Sequence, residues 1–183
     1  MLIHQIRVLY WKTKRRYLSL LHPNLSMGYG TVITGKFTVS GRGDIKIGTN
    51  CRPDGVKLHS DGQLIVGDNC YLNHPTIYAK SSIRIGEACV ISDAYIVDTD
   101  FHNLEPELRH APPGPRTTRP VEIGRNVWIG DRGTILKGSR IGDDSVIGSM
   151  SVVRGPIPPG CVVIGNPARI VKYFCPNEAP WRT

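Results

Sequence analysis

Residues 121–159 read VEIGRNVWIGDRGTILKGSRIGDDSVIGSMSVVRGPIPP and carry an aliphatic residue at every sixth position. These residues are Ile123, Ile129, Ile135, Ile141, Ile147 and Val153, and glycine follows four of them. A period of six fits neither an amphipathic helix nor a β-hairpin, but it is typical of a parallel β-helix whose coils each contain three short strands. The pattern therefore predicts that aliphatic residues eighteen positions apart stack in neighbouring coils.

The repeat extends towards the N-terminus, where it begins loosely near Met27 and returns as DIKIG, QLIVG and SIRIG. The last aliphatic residues of these runs are nineteen positions apart, at Ile47, Val66 and Ile85. We therefore expect one extra turn residue in each of these coils. The next step, from Ile85 to Ile123, is thirty-eight positions. One coil must extrude a loop of about twenty residues within 98–120, and loops of that length are often functional.

The 183-residue chain has a net charge of +8. Five basic residues and no acidic ones fall within residues 1–22, namely Arg7, Lys12, Lys14, Arg15 and Arg16. This local excess indicates an anionic membrane or partner rather than nucleic acid, because no nucleic-acid-binding motif accompanies it. No apolar run approaches the roughly 18 residues of a membrane span, so we expect a cytoplasmic protein.

Residues 1–22 are predicted to form a basic amphipathic helix that ends before Pro23. Its apolar stripe consists of Ile3, Ile6, Tyr10, Thr13, Tyr17 and Leu20. The helix either caps the open end of the coil stack or lies on the inner face of an anionic membrane, next to a lipid-linked substrate. The two interpretations are compatible.

Three of the five cysteines, Cys51, Cys70 and Cys89, are nineteen residues apart and occupy one repeat position. Elsewhere in the repeat this position holds small residues such as Ser145. Stacked cysteines can bind metal or act as nucleophiles, but free cysteine is among the most buried residue types. We therefore expect a buried column of small side chains, and no metal.

The long loop reads DTDFHNLEPELRHAPPGPRTTRP and holds five of the fourteen prolines. Proline lowers the entropy cost of ordering a long loop, as an arm that builds a site against a neighbouring subunit would require. The loop contains His102 and His110, and histidine titrates near neutral pH, so it can act as a general base. Three acidic residues in the same loop, Asp98, Asp100 and Glu105, or a backbone carbonyl, are candidates to orient such a histidine.

The runs VEIGRNVWIG, IGDDSVIGSMSVV and GNPARIV, together with DTDFHN ahead of them, resemble the hexapeptide-repeat acyltransferases. Within that family the maltose, galactoside and polysaccharide O-acetyltransferases are most similar. The resemblance covers roughly residues 27–174 and implies an all-β, left-handed parallel β-helix over residues 23–174, with an N-terminal helix and a tail at 175–183. It also implies acetyl-coenzyme A as co-substrate and a homotrimer with active sites between subunits.

The resemblance further implies roles for individual residues. The family's catalytic histidine falls on His102, and an asparagine that lines the acceptor site falls on Asn73. Positions that contact coenzyme A in the family correspond to Trp128, Gly130, Asp131, Gly148, Ser149, Arg154 and Arg169. This chain departs from the family at MSVVRGP, where a Thr–Lys pair is common, so the role of Arg154 is less firmly implied than that of His102.

The expected reaction is direct acetyl transfer from acetyl-coenzyme A to a sugar hydroxyl, with His102 as general base. The acceptor is expected to be a sugar or lipid-linked saccharide of surface polysaccharide, with a free sugar, an antibiotic or an amino-sugar amine as alternatives. Two other classes are a non-catalytic β-helix scaffold and a carbonic anhydrase of the same fold. The latter needs three histidines on zinc, and His74, His102 and His110 show no close pair suited to it.

Overall fold

A computed structural model of the chain describes residues 2–174, with the side chains of residues 10, 11 and 13–174. The tail at 175–183, including the fifth cysteine, lies outside the described residues. One helix, α1 (Leu2–Leu21), precedes the β-strands. The helix ends before Pro23, as the sequence predicts.

Short strands form the rest of the chain. Those before the long loop are β1 (Leu25–Met27), β2 (Thr38–Ser40), β3 (Asp44–Ile47), β4 (Arg52–Asp54), β5 (Lys57–Ser60), β6 (Gln63–Val66), β7 (Tyr71–Asn73), β8 (Thr76–Ala79), β9 (Ser82–Ile85), β10 (Val90–Ser92) and β11 (Tyr95–Val97). Two 3-10 turns lie in the loop, at Pro106–Leu108 and Pro115–Thr117. The strands after it are β12 (Val121–Ile123), β13 (Trp128–Ile129), β14 (Thr134–Ile135), β15 (Arg140–Ile141), β16 (Val146–Ile147), β17 (Val152–Val153), β18 (Pro156–Ile157), β19 (Cys161–Ile164) and β20 (Arg169–Tyr173).

The strands form three sheets, and each coil of the chain visits them in turn. Sheet A has the order β1-β3-β6-β9-β12-β15-β18, sheet B the order β4-β7-β10-β13-β16-β19-β20, and sheet C the order β2-β5-β8-β11-β14-β17. Every pairing is parallel except that of β20 with β19, which closes the C-terminal end as an antiparallel hairpin. The predicted parallel β-helix is confirmed.

The strand register follows the sequence period. Ile123 pairs with Ile141 and Ile129 with Ile147, eighteen residues apart, whereas Ile45 pairs with Leu64, nineteen residues apart. Strand β9 pairs directly with β12 although thirty-eight residues separate Ile85 from Ile123. The long loop is therefore extruded from the coil, as the spacing predicts.

Inward-facing aliphatic residues of all three sheets form one continuous core. Members such as Ile45, Leu64, Ile83 and Ile129 are fully buried, and each such side chain contributes about 1.5–3 kcal/mol of hydrophobic stabilisation. The core therefore fixes the register of the coils, and with it the positions of all residues at their corners.

Cys51, Cys70 and Cys89 are stacked and buried, as expected. The Cys70 thiol donates to the carbonyl oxygen of Gly86 at 3.1 Å, and the other two make equivalent contacts. Hydrogen bonding from the Cys70 thiol lowers the pKa of Cys51 to about 7, and the flanking sulfurs raise the pKa of Cys70. Burial hides all three thiols from solvent, so the column packs the core.

Helix α1 lies across the N-terminal end of the stack. Arg15 Nη1 donates to the carbonyl oxygen of Gly28 at 2.8 Å, and Lys14 Nζ donates to that of Ile33 at 3.0 Å. Leu18 packs against the core. The helix is therefore a cap, held in part by the basic residues Lys14 and Arg15.

The described part of the helix's apolar stripe is exposed. Tyr10 is 56% exposed, Tyr17 59% and Leu20 81%. Within residues 2–174, no helix is long and apolar enough to cross a membrane.

Candidate active site

The long loop is anchored by Asp98, whose side chain is completely buried. Its Oδ1 accepts the backbone N–H of Lys80, and its Oδ2 accepts those of Ser81 and Ser82, all at 2.7 Å. The backbone N–H of Arg119 donates to the carbonyl oxygen of Asp98 at 2.9 Å, which joins the two ends of the loop. Asp98 therefore fixes the base of the loop and is not available to orient His102.

Asn103 organises the inside of the loop and is also buried. Its Nδ2 donates to the carbonyl oxygens of Leu108, Ala111 and Pro112 at 2.8–3.3 Å, and its Oδ1 accepts the N–H of Gly114 at 2.8 Å. The loop is rich in prolines, which supply carbonyl oxygens but no N–H donors, so an internal side-chain amide satisfies acceptors that the backbone cannot. Asn103 is not among the residues predicted from the sequence, and the signal that indicates it is a lone asparagine in a proline-rich loop.

Phe101 holds the backbone just before the histidine. It has a φ of 65°, in the left-handed region that is costly for a bulky side chain. Its ring makes an edge contact with Tyr78, with 4.7 Å between centroids, and Tyr78 in turn stacks on His59 at 4.1 Å. Backbone strain of this kind persists where the surrounding contacts enforce it and is concentrated at functional sites.

His102 itself is exposed and lines an open cleft of about 880 Å³ together with Phe101, Arg109, His110 and Pro112. Within the described part of the chain, no hydrogen bond or ion pair engages its imidazole. Both ring nitrogens are therefore free to contact a ligand or another subunit. Of the candidates to orient this histidine, Asp100 is also occupied, since it forms an ion pair with Lys137. Glu105 and backbone carbonyls remain.

Most of the other candidate residues lie at the corner where each coil passes from sheet B to sheet C, which we call the B–C corner. Asn73 pairs with Ser92, and Gly130 and Gly148 follow the paired residues Ile129 and Ile147, so all four stand in one column. Asp131 and Ser149 come next along the chain, and the carbonyl of Asp131 accepts the N–H of Met150. Arg169 pairs with Ile164 at the same end of sheet B. The register thus brings Asn73, Gly130, Asp131, Gly148, Ser149 and Arg169 to one edge.

The glycines at this corner are explained by packing between coils. A Cβ on Gly130 would stand 2.9 Å from the backbone nitrogen of Ser149, and one on Gly148 would stand 3.1 Å from Ile164. The side chains of Ser149, Asp131 and Arg169 are exposed along this edge, and Trp128 on sheet B is 53% exposed. An exposed ring, a hydroxyl and a guanidinium along a small-residue edge suit an elongated ligand that carries phosphates, such as coenzyme A.

Arg154 and the loop lie elsewhere, at the corner where each coil passes from sheet C to sheet A, which we call the C–A corner. Arg154 follows β17 of sheet C and lines a cavity beneath the loop with Asp100, Arg119 and Lys137. The two corners are opposite ends of sheet C. A single chain therefore does not gather all the candidate residues at one place: His102 and Arg154 belong to one corner, and Asn73 and the remaining residues of that edge belong to the other.

Among the described residues, no three histidine, cysteine, aspartate or glutamate side chains are close enough to hold a metal ion.

Comparison with known proteins confirms the resemblance. Residues 120–155 match the family described as bacterial transferase hexapeptide (six repeats). An Escherichia coli K12 protein provisionally named as the lipopolysaccharide biosynthesis O-acetyl transferase WbbJ is 37% identical over 98 residues. That match covers 50% of this chain and 50% of the relative, so the chain spans about half of that protein's length.

Two solved structures match over most of this chain. A maltose O-acetyltransferase from Clostridium difficile 630 is 26% identical, with 92% of this chain and 87% of that chain covered and a TM-score of 0.57. A galactoside acetyltransferase in complex with coenzyme A is 25% identical, with 87% and 70% covered and a TM-score of 0.56. The chain is therefore similar to hexapeptide acyltransferases in its repeat over residues 120–155 and in its fold.

Proposed function

We propose that this chain is an acetyl-coenzyme A-dependent O-acetyltransferase that acetylates a sugar hydroxyl, with His102 as general base. The observation that carries the proposal is an exposed histidine, without a partner among the described residues of its own chain, on a loop that Asp98 and Asn103 hold in place. A histidine on a mobile surface loop would need no such support. The similarity to a galactoside acetyltransferase bound to coenzyme A supports the choice of donor.

The reaction follows from the chemistry of the two substrates. The acceptor hydroxyl oxygen attacks the thioester carbonyl carbon, the C–S bond breaks, and the hydroxyl proton passes to the imidazole of His102. The resulting imidazolium then protonates the departing thiolate. Backbone N–H groups at a coil corner can stabilise the oxyanion, and no covalent acyl-enzyme is required.

The proposal includes a homotrimer whose active sites lie between subunits. It is supported by the separation of His102 and Asn73 to opposite ends of sheet C, since a neighbouring copy can bring the loop of one chain to the B–C corner of another. A cyclic arrangement repeats this contact three times and closes the ring.

The first experiment measures acetyl transfer by the full-length protein against a panel of nucleotide-sugars, lipid-linked saccharides and simple glycosides, corrected for hydrolysis. His102→Ala should lower kcat by roughly 10²–10⁴-fold, as loss of a general base typically does, with the melting temperature unchanged. Glu107→Ala, in the same loop but not among the residues that line the cleft, is the control and should retain activity. A His102→Ala protein within threefold of wild type would remove His102 from the mechanism.

A second experiment tests the shared site by mixing two inactive variants, His102→Ala and Asn73→Ala, and reassembling the oligomer. If each site takes its loop from one subunit and its B–C corner from the next, random trimers recover about a quarter of wild-type activity. If both residues serve the same chain's site, mixing restores nothing.

The phosphates of coenzyme A are assigned to Arg169, which is exposed at the B–C corner. Arg169→Ala should raise KM for acetyl-coenzyme A by about tenfold, the low end for an exposed charge-assisted contact, and leave KM for the acceptor unchanged. An unaltered KM for acetyl-coenzyme A would place the phosphates elsewhere.

A further inference from the structure

One column of outward-facing side chains on sheet C leads from the coils to the histidine loop. Ser40 pairs with His59, His59 with Tyr78, and Tyr78 with Val97 in successive coils. Val97 points outward by the alternation of its strand, yet it is only 2% exposed. The column therefore ends beneath other side chains, and the loop begins from the next residue, Asp98.

The two rings of this column stack face to face. Neighbouring coils are about 4.8 Å apart, and the ring centroids of His59 and Tyr78 are 4.1 Å apart, with 12° between their planes. The imidazole is held at both nitrogens, since Nδ1 lies 2.9 Å from Ser40 Oγ and Nε2 lies 3.2 Å from Asp61 Oδ1. Asp61 Oδ2 in turn accepts from Lys80 Nζ at 2.8 Å. His59 is therefore a fixed platform for the Tyr78 ring.

Phe101 forms the next tier of the stack. Its ring meets that of Tyr78 edge to face, with 4.7 Å between centroids and 70° between planes, which is a preferred arrangement of aromatic pairs. The backbone N–H of Phe101 donates to Thr99 Oγ1 at 3.1 Å. The edge contact joins a side chain of the loop to a side chain of the sheet.

This contact matters because of the backbone at Phe101. Its φ of 65° lies in the left-handed region, which is unfavourable for a bulky side chain unless neighbouring contacts enforce it. If this φ relaxes to a negative value, the peptide that leads into His102 rotates, and the imidazole moves with it. Phe101 and His102 also line the same cleft. The direction of the histidine side chain is therefore coupled to the ring contact of the preceding residue.

We propose that Tyr78 is a positioning residue for His102 and that it acts through the ring of Phe101. This inference rests on the proposed function, in which His102 is the general base. A general base needs its nitrogen within hydrogen-bond distance of the acceptor hydroxyl, and a small misplacement of a reacting group lowers the rate by up to about 100-fold. Asp98 fixes the base of the loop and Asn103 its interior, whereas the stack fixes the backbone immediately before the imidazole.

The kinetic test compares Tyr78→Leu, which removes the ring, with Tyr78→Phe, which keeps it. Tyr78→Leu should lower kcat about 10- to 100-fold and change KM for acetyl-coenzyme A by less than about threefold, because the contact serves the chemical step rather than binding. Tyr78→Phe should retain activity. Tyr29→Leu, at a tyrosine that is 76% exposed in the first coil, is the matched control and should be unaffected. Wild-type kcat in Tyr78→Leu, or equal losses in the two Tyr78 variants, would overturn the proposal.

A second measurement does not use catalysis. Hydrogen exchange of the backbone N–H groups of residues 99–103 should be at least about tenfold faster in Tyr78→Leu than in wild type, with exchange in the strands of sheet A and the melting temperature nearly unchanged. Equal exchange in the two proteins would overturn the proposal. If Tyr78→Leu does not fold, Phe101→Leu removes the same contact from the loop side and takes its place in both tests.

The two measurements separate this inference from the proposed function. If the wild-type protein acetylates no sugar, the proposed function fails, whereas exchange at residues 99–103 still decides whether Tyr78 fixes the segment before His102. If exchange becomes faster but kcat stays at the wild-type value, Tyr78 supports the loop without positioning the histidine. In that case the proposal made here fails and the proposed function stands.

Discussion

The Asp98 carboxylate accepts the backbone N–H of Ser82, the first residue of β9 in the preceding coil, at 2.7 Å. The same carboxylate accepts two further N–H groups from Lys80 and Ser81. A loop of more than twenty residues thus begins from a point fixed to the sheet. Asp98 thus fixes the base of the histidine loop, whereas Asn103 organises its interior.

Asp98→Asn should destabilise the protein, because the amide replaces one acceptor oxygen with a donor that faces backbone N–H groups. A hydrogen bond to a charged group contributes about 1.5–3 kcal/mol, and its loss corresponds to roughly 3–12 °C in melting temperature for a chain of this size. Calorimetry and acetyl-transfer rates measured on the same samples check both effects. Asp44→Asn, at an exposed position in an early coil, is the control. A variant as stable and active as wild type would show that the contacts of Asp98 are dispensable.

Asn103→Ala should loosen the loop without unfolding the coils, since its four hydrogen bonds stay within the loop. Local opening of this kind leaves the global melting temperature nearly unchanged. Trypsin should cut faster after Arg109 and Arg116, and kcat should fall about 10- to 100-fold through misplacement of His102. Asn126→Ala, which removes an exposed contact to Asp144 at 2.8 Å, should change neither quantity. Unchanged proteolysis of the Asn103 variant would contradict this role.

Cys70→Ser tests the buried column. The carbonyl oxygen of Gly86 lies 3.1 Å from the Cys70 sulfur and can accept a hydroxyl, much as Pro158 already does for Ser145 at 2.9 Å. The cost should therefore be about 1 kcal/mol of unfolding free energy, near the low end for burying a polar group, with full turnover. Urea unfolding measures the cost. Complete loss of activity in a folded variant would make the thiol functional.

The hexapeptide period determined most of the fold in advance, because each inward aliphatic residue has its partner one coil away. The number of residues between repeat positions also predicts that Asn73, Gly130 and Gly148 lie above one another at the B–C corner, and that Arg154 lies at the C–A corner. The contacts of Asp98 could not be predicted, since the loop it anchors has no period of its own. The packing of α1 was equally hidden, because nothing in the sequence indicates that Lys14 and Arg15 donate to carbonyl oxygens of the first coil.

The exposed stripe of α1 leads to a prediction about membranes. Tyr10, Tyr17 and Leu20 face away from the coils, on a segment without acidic residues. We expect this face to bind vesicles that contain anionic lipid. Each basic residue near such a surface contributes about 1 kcal/mol, so the triple change Arg7→Gln/Lys12→Gln/Arg16→Gln should weaken binding roughly 100-fold.

Co-sedimentation at low and physiological salt measures this binding, with affinity for coenzyme A as the internal reference. Lys14 and Arg15 are left intact because they hold the helix on the coils. Equivalent changes at Lys46, Arg52 and Lys57, exposed on the coils, provide the control. If the triple variant sediments with vesicles as well as wild type, the helix serves only as a cap.

Helix α1 covers strand edges that could otherwise pair with other copies of the chain. Strands β1, β2 and β4 are the outermost members of their sheets at the N-terminal end, and an uncovered parallel edge is a template on which another chain can add. Lys14 and Arg15 engage carbonyl oxygens of the first coil, and the helix covers that end. Without the helix, the exposed edges of these strands would be sites at which further copies can pair. The helix that caps the N-terminal end of the stack therefore also protects the strand edges there from aggregation.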